Sequence, residues 1–290
     1  PKGQSRSARP TRSRGQKPAP SESRAVPTRA NPFDLTSLQP LSPPKEFEQA
    51  LADAGVSLEP KEIEQLGLYL ACLLAANESM NLTAIKSADE AWTRHIADAL
   101  TVLAAISQLD PGAKVIDVGS GGGVPGLPLA IACPDAHFTL LEATAKKVAF
   151  LRACVKRLGL TNVRVIEARA EVAAHDRGER TATGRTGMLR EGFDLVIARA
   201  VARLPVLLEL CAGLAKINGR LCFIKGQQAA VEVEEATHAA HLLKIVHVDT
   251  VGTPTGTLVA YEKISATPRD YPRANGEPTR VPLMAPRKKD

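Results

Sequence analysis

No apolar run in this 290-residue chain is long enough to cross a membrane. A membrane helix needs roughly 18 uninterrupted apolar residues, and the arginine-rich start of the chain also lacks the apolar stretch of a signal peptide. We therefore expect a cytoplasmic protein without a membrane partner. Because 44% of the residues are hydrophobic, the chain can bury one good-sized core.

Cysteines are few and lie far apart in the sequence. The five stand in apolar surroundings, without a C-x-x-C pair or a histidine at ligand spacing: Cys72, Cys133, Cys154, Cys211 and Cys222. This pattern is typical of reduced core residues, so we expect neither a metal site nor a disulfide framework.

The net charge of +6 is concentrated at the two ends of the chain. Residues 1–30 carry eight basic side chains and one acidic one, and residues 268–290 carry six basic and three acidic ones. Basic tails attract polyanions over long distances, although a solvated arm without a specific partner is an equally good interpretation. The first forty-odd residues are rich in Pro, Ser and Arg, which predicts disorder.

After Gly112, short apolar runs alternate with helical stretches. The runs at residues 115–118, 138–141, 163–166, 195–197 and 221–224 predict buried parallel strands, with helices at about 127–133, 145–158 and 204–215. Two further runs, 245–248 and 258–261, predict an antiparallel hairpin. The alternation predicts an α/β fold, a doubly wound and mostly parallel sheet, with a substrate crevice at the carboxyl ends of the strands.

These patterns divide the chain into four predicted segments. We expect a disordered basic arm over residues 1–44, a helical segment over 45–110, a Rossmann-like core over 111–265 and a basic tail over 266–290. In the helical segment, a third helix is predicted from about Ala88 through Trp92, Ile96, Leu100 and Leu103. Residues 174–191 predict a surface loop.

Residues 115–126, VIDVGSGGGVPG, predict a strand that enters a glycine-rich turn and then a helix. Glycines let the backbone approach a nucleotide-like cofactor, but Gly121, with two later glycines, also satisfies the G-x-G-x-x-G pattern of a dinucleotide site. Asp117 favours S-adenosylmethionine, because a carboxylate attracts the ammonium group of that cofactor and opposes a pyrophosphate. Glu142 ends the second strand, where an acid accepts hydrogen bonds from ribose hydroxyls of either cofactor.

Other candidate residues follow the later strands. Ala170 and Glu171 come after the third strand and are candidates for the edge of a purine. Arg199 follows the fourth strand, where it can bind phosphate, stack on a base or pair with an acid. His95 lies on a helix with an apolar face, so it is either a packed histidine or a site residue.

Several motifs together resemble the RsmG (GidB) family over residues 46–283. They are NLTAI at 81–85, RHIAD at 94–98, DVGSGGGVPGLP at 117–128, KKVAFL at 146–151, RA at 199–200, IKG at 224–226, YPR at 271–273 and PL at 282–283. The resemblance implies a methyltransferase fold of the Rossmann-like, S-adenosylmethionine-dependent type with an N-terminal helical extension. It also implies formation of 7-methylguanosine in 16S ribosomal RNA of the small ribosomal subunit, at guanosine 527 in the 530 loop.

Carried over by motif, the resemblance implies cofactor contacts at Gly119, Val124, Ala170, Glu171 and Arg199. The chain departs from the family pattern at four positions. Gly122 stands where Pro is usual and Val124 where Leu is usual, and Ala198 and Val201 stand in place of Ser and Phe. Guanine N7 has an exposed lone pair, so methylation there needs no general base and no metal. The alternatives are a nicotinamide-dependent oxidoreductase and a non-catalytic RNA-binding assembly factor of the ribosome.

Overall fold

A computed structural model of the chain describes residues 33–181, 184–253 and 255–285. The strands are β1 Lys114–Val118, β2 His137–Glu142, β3 Val163–Glu167, β4 Glu179–Thr181, β5 Gly184–Thr186, β6 Phe193–Arg199, β7 Ala215–Lys225, β8 Ile245–Thr253 and β9 Gly256–Lys263. Seven of them form one sheet in the order β3-β2-β1-β6-β7-β9-β8. The first five of that order are parallel, whereas β9 pairs antiparallel with both β7 and β8. The predicted α/β fold is confirmed.

Helices precede the sheet and connect its strands. They are α1 Lys45–Asp53, α2 Pro60–Met80, α3 Ala88–Ala91, α4 Asp98–Leu100, α5 Leu103–Ile106, α6 Gly126–Ala132, α7 Ala145–Leu158, α8 Ala170–Ala173, α9 Leu204–Ala212, α10 Ala229–Glu235, α11 Thr237–Leu243 and α12 Glu277–Arg280. A π-helical segment, Trp92–Ala97, joins α3 to α4. Within the ranges described, no helix is long and apolar enough to span a membrane.

The centre of the sheet is buried on both faces, which is why a central strand such as β6 is rich in apolar residues, whereas β8 at one edge is largely exposed. Val196 and Ala198 of β6 belong to one core, together with α9 and α11. Their neighbours Leu195 and Ile197 belong to a second core, which includes residues of α6. Alternate residues of one strand therefore pack in opposite directions, as the period of two requires. All five cysteines are free, and four of them are buried.

The N-terminal helices pack over α6 and α7 on one side of the sheet. Helix α2 begins with a capping box, in which Glu59 and Glu62 exchange side-chain to backbone hydrogen bonds. The rings of Phe47 and Trp92 lie 4.6 Å apart between centroids, and both side chains are buried. This packing holds α1 and the π-helical segment together.

The predicted third helix is helical without a break from Ala88 to Leu100, but its middle is π-helical, and a turn at residues 101–102 separates it from α5. A π turn admits an extra residue, so the side chains beyond it change direction relative to the core. As a result His95 and Asp98 are buried together with the apolar residues Trp92, Ile96 and Leu100. Hydrophobic spacing alone did not reveal this change, because the apolar residues still recur at near-helical intervals.

Residues 33–44 are packed, whereas the sequence predicted disorder for them. Leu35 is buried, and the Phe33 and Phe150 rings meet edge to face at 5.8 Å. The Arg157 guanidinium donates to the carbonyl oxygens of Leu35 and Leu38, each at 2.9 Å. A few spaced apolar residues and one arginine thus order a segment that is rich in proline and serine. The rest of the predicted arm, residues 1–32, lies outside the described residues.

Most of the described residues between 174 and 191 are exposed, as predicted for a surface loop, but the segment has regular structure and buried ends that the sequence did not indicate. The segment contains the antiparallel pair β4–β5, and Leu189 is buried. Buried Arg190 donates to the carbonyl oxygens of Ala174, at 2.8 Å, and Thr267, at 2.8 Å. Its guanidinium therefore ties the segment to the C-terminal part of the chain.

Candidate active site

The candidate residues of the core lie along one edge of the sheet. Gly119, Glu142, Ala170 and Arg199 are at or just beyond the carboxyl ends of β1, β2, β3 and β6, four strands adjacent in the sheet. From β1 the chain winds outward through β2 and β3, and it then returns to β6 on the other side of β1. Ligands of doubly wound sheets bind at such a reversal.

The glycine-rich loop begins with two backbone N–H groups bound to one carbonyl oxygen. Gly119 and Ser120 both donate to the Leu141 oxygen, at 2.8 and 3.1 Å. Gly119 has a φ of +72°, and a Cβ there would lie 2.8 Å from a methyl carbon of Val201. The loop therefore needs glycine both for its conformation and for close packing against the chain that follows β6.

Asp117 lies beneath this loop, and its carboxyl group is almost completely buried. Its Oδ2 accepts the Gly126 N–H at 3.2 Å, and a Cβ on Gly126 would come within 2.7 Å of that oxygen. Oδ1 has no hydrogen-bond partner among the described residues. Burial raises the pKa of Asp117 to about 7 against the lowering effect of hydrogen bonds from Gly126 and Ser120, and the nearby carboxylate of Glu142 makes a smaller contribution in the same direction as burial. The oxygen without a partner is suited to a cationic group.

Glu142 holds the loop from the neighbouring strand. Its Oε2 accepts the Gly121 N–H at 3.0 Å, and its Oε1 accepts the Thr144 N–H at 2.7 Å. The side chain is 7% exposed. Since each carboxylate oxygen accepts more than one hydrogen bond, both retain capacity for hydroxyl groups of a ligand.

Ala170 and Glu171 begin α8, directly after β3. Glu171 is buried, and its Oε1 accepts the Gly276 N–H at 2.9 Å. Its carboxylate thus contacts the C-terminal segment, which the sequence did not indicate. The Ala168 N–H donates to the backbone oxygen of Glu142 at 3.1 Å, which ties this turn to the end of β2.

A cavity of about 330 Å³ lies beside the glycine-rich loop, between that loop and the N-terminal helical segment. Its walls include Leu73, Thr83, His95, Val124, Lys147 and Arg199. The cavity therefore brings together the N-terminal helical segment, the glycine loop and the end of β6. A groove of about 670 Å³ opens at the amino ends of the strands, where Lys114 and Arg164 lie, but none of the candidate residues lines it.

His95 fits both interpretations offered by the sequence, since it is packed in the core and also lines the cavity. Its Nε2 lies 2.9 Å from the Thr83 hydroxyl oxygen. Burial, assisted by the positive charge of Arg199, lowers the pKa of His95 to about 4. The imidazole is therefore neutral at pH 7.

Arg199 pairs with an acid, which was one of its three predicted roles. Its Nη1 lies 3.4 Å from Oδ2 of Asp98, and its side chain is 18% exposed. Burial lowers the pKa of Arg199, whereas the Asp98 charge raises it. Ala200, next in the chain, has a φ of +55°.

The sequence did not indicate Tyr69, and it gave Asp98 and Lys147 only as members of family motifs, without a role in this region. The Tyr69 hydroxyl, buried on α2, donates to the Gly122 carbonyl oxygen at 3.0 Å. A Cβ on Gly122 would lie 2.7 Å from Leu73 Cδ1, so α2 packs tightly on the loop. Helical spacing marks Tyr69 only as a core residue, since its contact is 53 residues away in the chain.

The sequence model of the family "rRNA small subunit methyltransferase G" matches residues 62–258. That range includes the glycine loop, Glu142, His95, Asp98 and Arg199. The chain belongs to this family.

Two relatives extend the match over most of the chain. Ribosomal RNA small subunit methyltransferase G of Sorangium cellulosum is 44% identical over 241 residues, which cover 83% of this chain and 96% of the relative. The protein of the same name from Lactiplantibacillus plantarum is 37% identical over 250 residues, 84% of this chain and 99% of the relative. The family match thus includes, besides the glycine loop, most of α2 and the helical residues up to α5.

We expect Glu142→Ala to weaken binding of S-adenosylhomocysteine by about 1–3 kcal/mol, the usual cost of removing a charged hydrogen-bond partner. The substitution also removes the acceptor of the Gly121 N–H, so the loop loses a contact. Titration calorimetry measures the effect. Glu167→Ala is the matched control, because exposed Glu167 ends β3 directly opposite Glu142. Equal affinities of the Glu142 variant and the wild type would contradict the assignment.

Proposed function

We propose that this protein transfers a methyl group from S-adenosylmethionine to N7 of a guanine in 16S ribosomal RNA of the small ribosomal subunit, in the cytoplasm. The target implied by the family resemblance is guanosine 527 in the 530 loop. Membership of the rRNA small subunit methyltransferase G family carries this proposal.

The residues at the sheet edge fit the cofactor. The glycine loop offers a cradle without side chains, and the Asp117 oxygen that lacks a partner in the described chain suits an ammonium group. In this assignment Gly119, Gly121 and Val124 surround the methionine end, while Glu142 receives the ribose. Ala170 and Glu171 flank the purine. The bound cofactor supplies an activated methyl group on a positively charged sulfonium.

The chain has to position the base rather than deprotonate it. Guanine N7 carries an exposed lone pair, so His95, neutral and held by Thr83, is not needed as a base. Leu73 and Val124 make part of the cavity wall apolar, which favours dispersal of the sulfonium charge during transfer. Arg199 presents its remaining guanidinium donors at the same cavity and orients the cofactor or the base.

Mass spectrometry of nucleosides tests the proposal directly. Purified protein, S-adenosylmethionine and 16S RNA or 30S particles that lack the modification should yield 7-methylguanosine at one position. Methylation of another atom, or of several unrelated guanines, would contradict the proposed target. RNA binding without any transfer would instead favour the assembly factor.

Cofactor binding separates the proposal from an oxidoreductase. We expect S-adenosylhomocysteine to raise the melting temperature, because a ligand of the folded state stabilises it by mass action. NAD should not, since the buried Asp117 carboxylate opposes a pyrophosphate. Stabilisation by NAD alone would favour the oxidoreductase.

A further inference from the structure

Asp98 is a buried carboxylate that joins three distant parts of the chain. It begins α4, directly after the π-helical segment, and is 2% exposed. Its Oδ2 lies 3.4 Å from Nη1 of Arg199 at the end of β6. Its Oδ1 accepts hydrogen bonds from the hydroxyl groups of Thr253, at 3.3 Å, and Thr255, next to the turn between β8 and β9.

Both oxygens of this carboxylate therefore have assigned partners. A buried carboxylate is costly unless it is paired and hydrogen-bonded, and here a cation forms an ion pair with one oxygen while two hydroxyl groups donate hydrogen bonds to the other. Within the described ranges, Arg199 is the one basic side chain paired with Asp98. The two threonines prevent the carboxylate from rotating away from that arginine.

The pair also determines what Arg199 presents to the cavity. Nη1 is buried and faces Asp98 Oδ2 at 3.4 Å, an ion pair without a hydrogen bond, whereas the side chain as a whole keeps 18% exposure and lines the cavity. A guanidinium is a rigid planar fork, so fixing one nitrogen sets the direction of the others. Without Asp98, the Arg199 side chain would be free to adopt other rotamers.

We propose that Asp98 is a positioning residue, which aims the Arg199 guanidinium at the cavity and is itself oriented by Thr253 and Thr255. This inference rests on the proposed methyl transfer. It gives the C-terminal hairpin a role in the site, although neither threonine lines the cavity. It also relates the π turn to the site, because that turn contains His95 and directly precedes Asp98.

The test is a double-mutant cycle on single-turnover methyl transfer at saturating RNA and cofactor. Asp98→Asn keeps the size of the side chain and removes its charge, and we expect a rate loss of about 100-fold, typical of a displacement of about 1 Å. In the Arg199→Ala background the same substitution should change the rate less than about twofold, because the residue it positions is gone. Asp98→Glu should recover part of the loss.

A second variant covers the case in which Asp98→Asn does not fold. Thr253→Val combined with Thr255→Val leaves the ion pair in place and removes the hydroxyl donors. We expect a rate loss of about fivefold to tenfold, the effect of roughly one hydrogen bond, and again no loss in the Arg199→Ala background. The matched control is Asp194→Asn, which removes a carboxylate from the other end of β6, where Asp194 pairs with Lys216. This control should transfer methyl groups at the wild-type rate.

The outcomes separate this inference from the proposed function. Transfer by the wild type with coupled losses supports the positioning role. Transfer by the wild type with losses that add independently in the cycle overturns it, because Asp98 would then act only through general stability. Absence of transfer by the wild type on unmodified 30S particles refutes the proposed function itself.

Discussion

Replacing Arg199 by lysine should leave the protein folded and lower the single-turnover rate by about 10- to 100-fold, since lysine keeps the charge and loses the planar fork. Arg199→Ala should lose more. It should also lower the free energy of unfolding by up to about 3 kcal/mol, because it leaves the buried Asp98 carboxylate without its cationic partner. Single-turnover kinetics at saturating RNA and cofactor separate the transfer step from weak binding.

A nearby arginine supplies the control for this experiment. Arg203 lies four residues further along the chain, with 58% of its side chain exposed, and pairs with Glu235. Arg203→Lys should therefore transfer methyl groups at the wild-type rate. If Arg199→Lys also retained the wild-type rate and affinities, the fork would have no role, and Arg199 would act only as a positive charge beside the loop.

Cofactor affinity should depend on pH through Asp117. Burial places the pKa of this carboxyl group at about 7 in the free protein, and an ammonium group of the cofactor favours its ionised form. Below pH 7 binding must therefore displace a proton. We expect affinity for S-adenosylhomocysteine to fall by about tenfold for each pH unit below 7 and to level off just above it. Calorimetric titrations at several pH values measure this slope.

Asp117→Asn should remove the slope and weaken binding above pH 7 by about 1.5–3 kcal/mol, the contribution of a hydrogen bond to a charged group. The amide still accepts the Gly126 N–H, so the loop keeps that contact. Asp135→Asn changes an exposed aspartate in the turn before β2 and should reproduce the wild-type curve. A wild-type affinity that is flat between pH 5 and 7 would show that the ammonium group does not depend on Asp117.

The predicted elements of the sheet were recovered because their signals are local. Strand β1 is a short buried run, rich in β-branched residues, that leads into a glycine-rich turn, and α7 was predicted with the bounds observed, Ala145–Leu158. The sequence missed α10 and α11, whose alanines and polar residues give a weaker periodic signal. Asp117 and Glu142 were recognised from their places at strand ends, which depend on local order alone.

Local sequence patterns could not predict which residues contact the candidate residues. Asp98 contacts Arg199 from a separate part of the chain, and its threonine partners lie 155 and 157 residues away. Tyr69 contacts the glycine loop, and Arg157 orders residues of the predicted arm, through similarly long-range hydrogen bonds. No periodicity encodes such contacts, because they depend on how whole elements pack.

The sequence by itself determined the strands of the main sheet with the helices α6, α7 and α9 between them, the glycine loop and the acids beside it, since these follow from backbone conformation and burial over a few residues. It also carried the motifs of the rRNA small subunit methyltransferase G family. Only the tertiary structure decided that the N-terminal helices line the cavity, that His95 and Asp98 are buried at a π turn, and that Asp98 pairs with Arg199. The physical reason is that buried charges find partners across the folded core, where distance along the chain no longer matters.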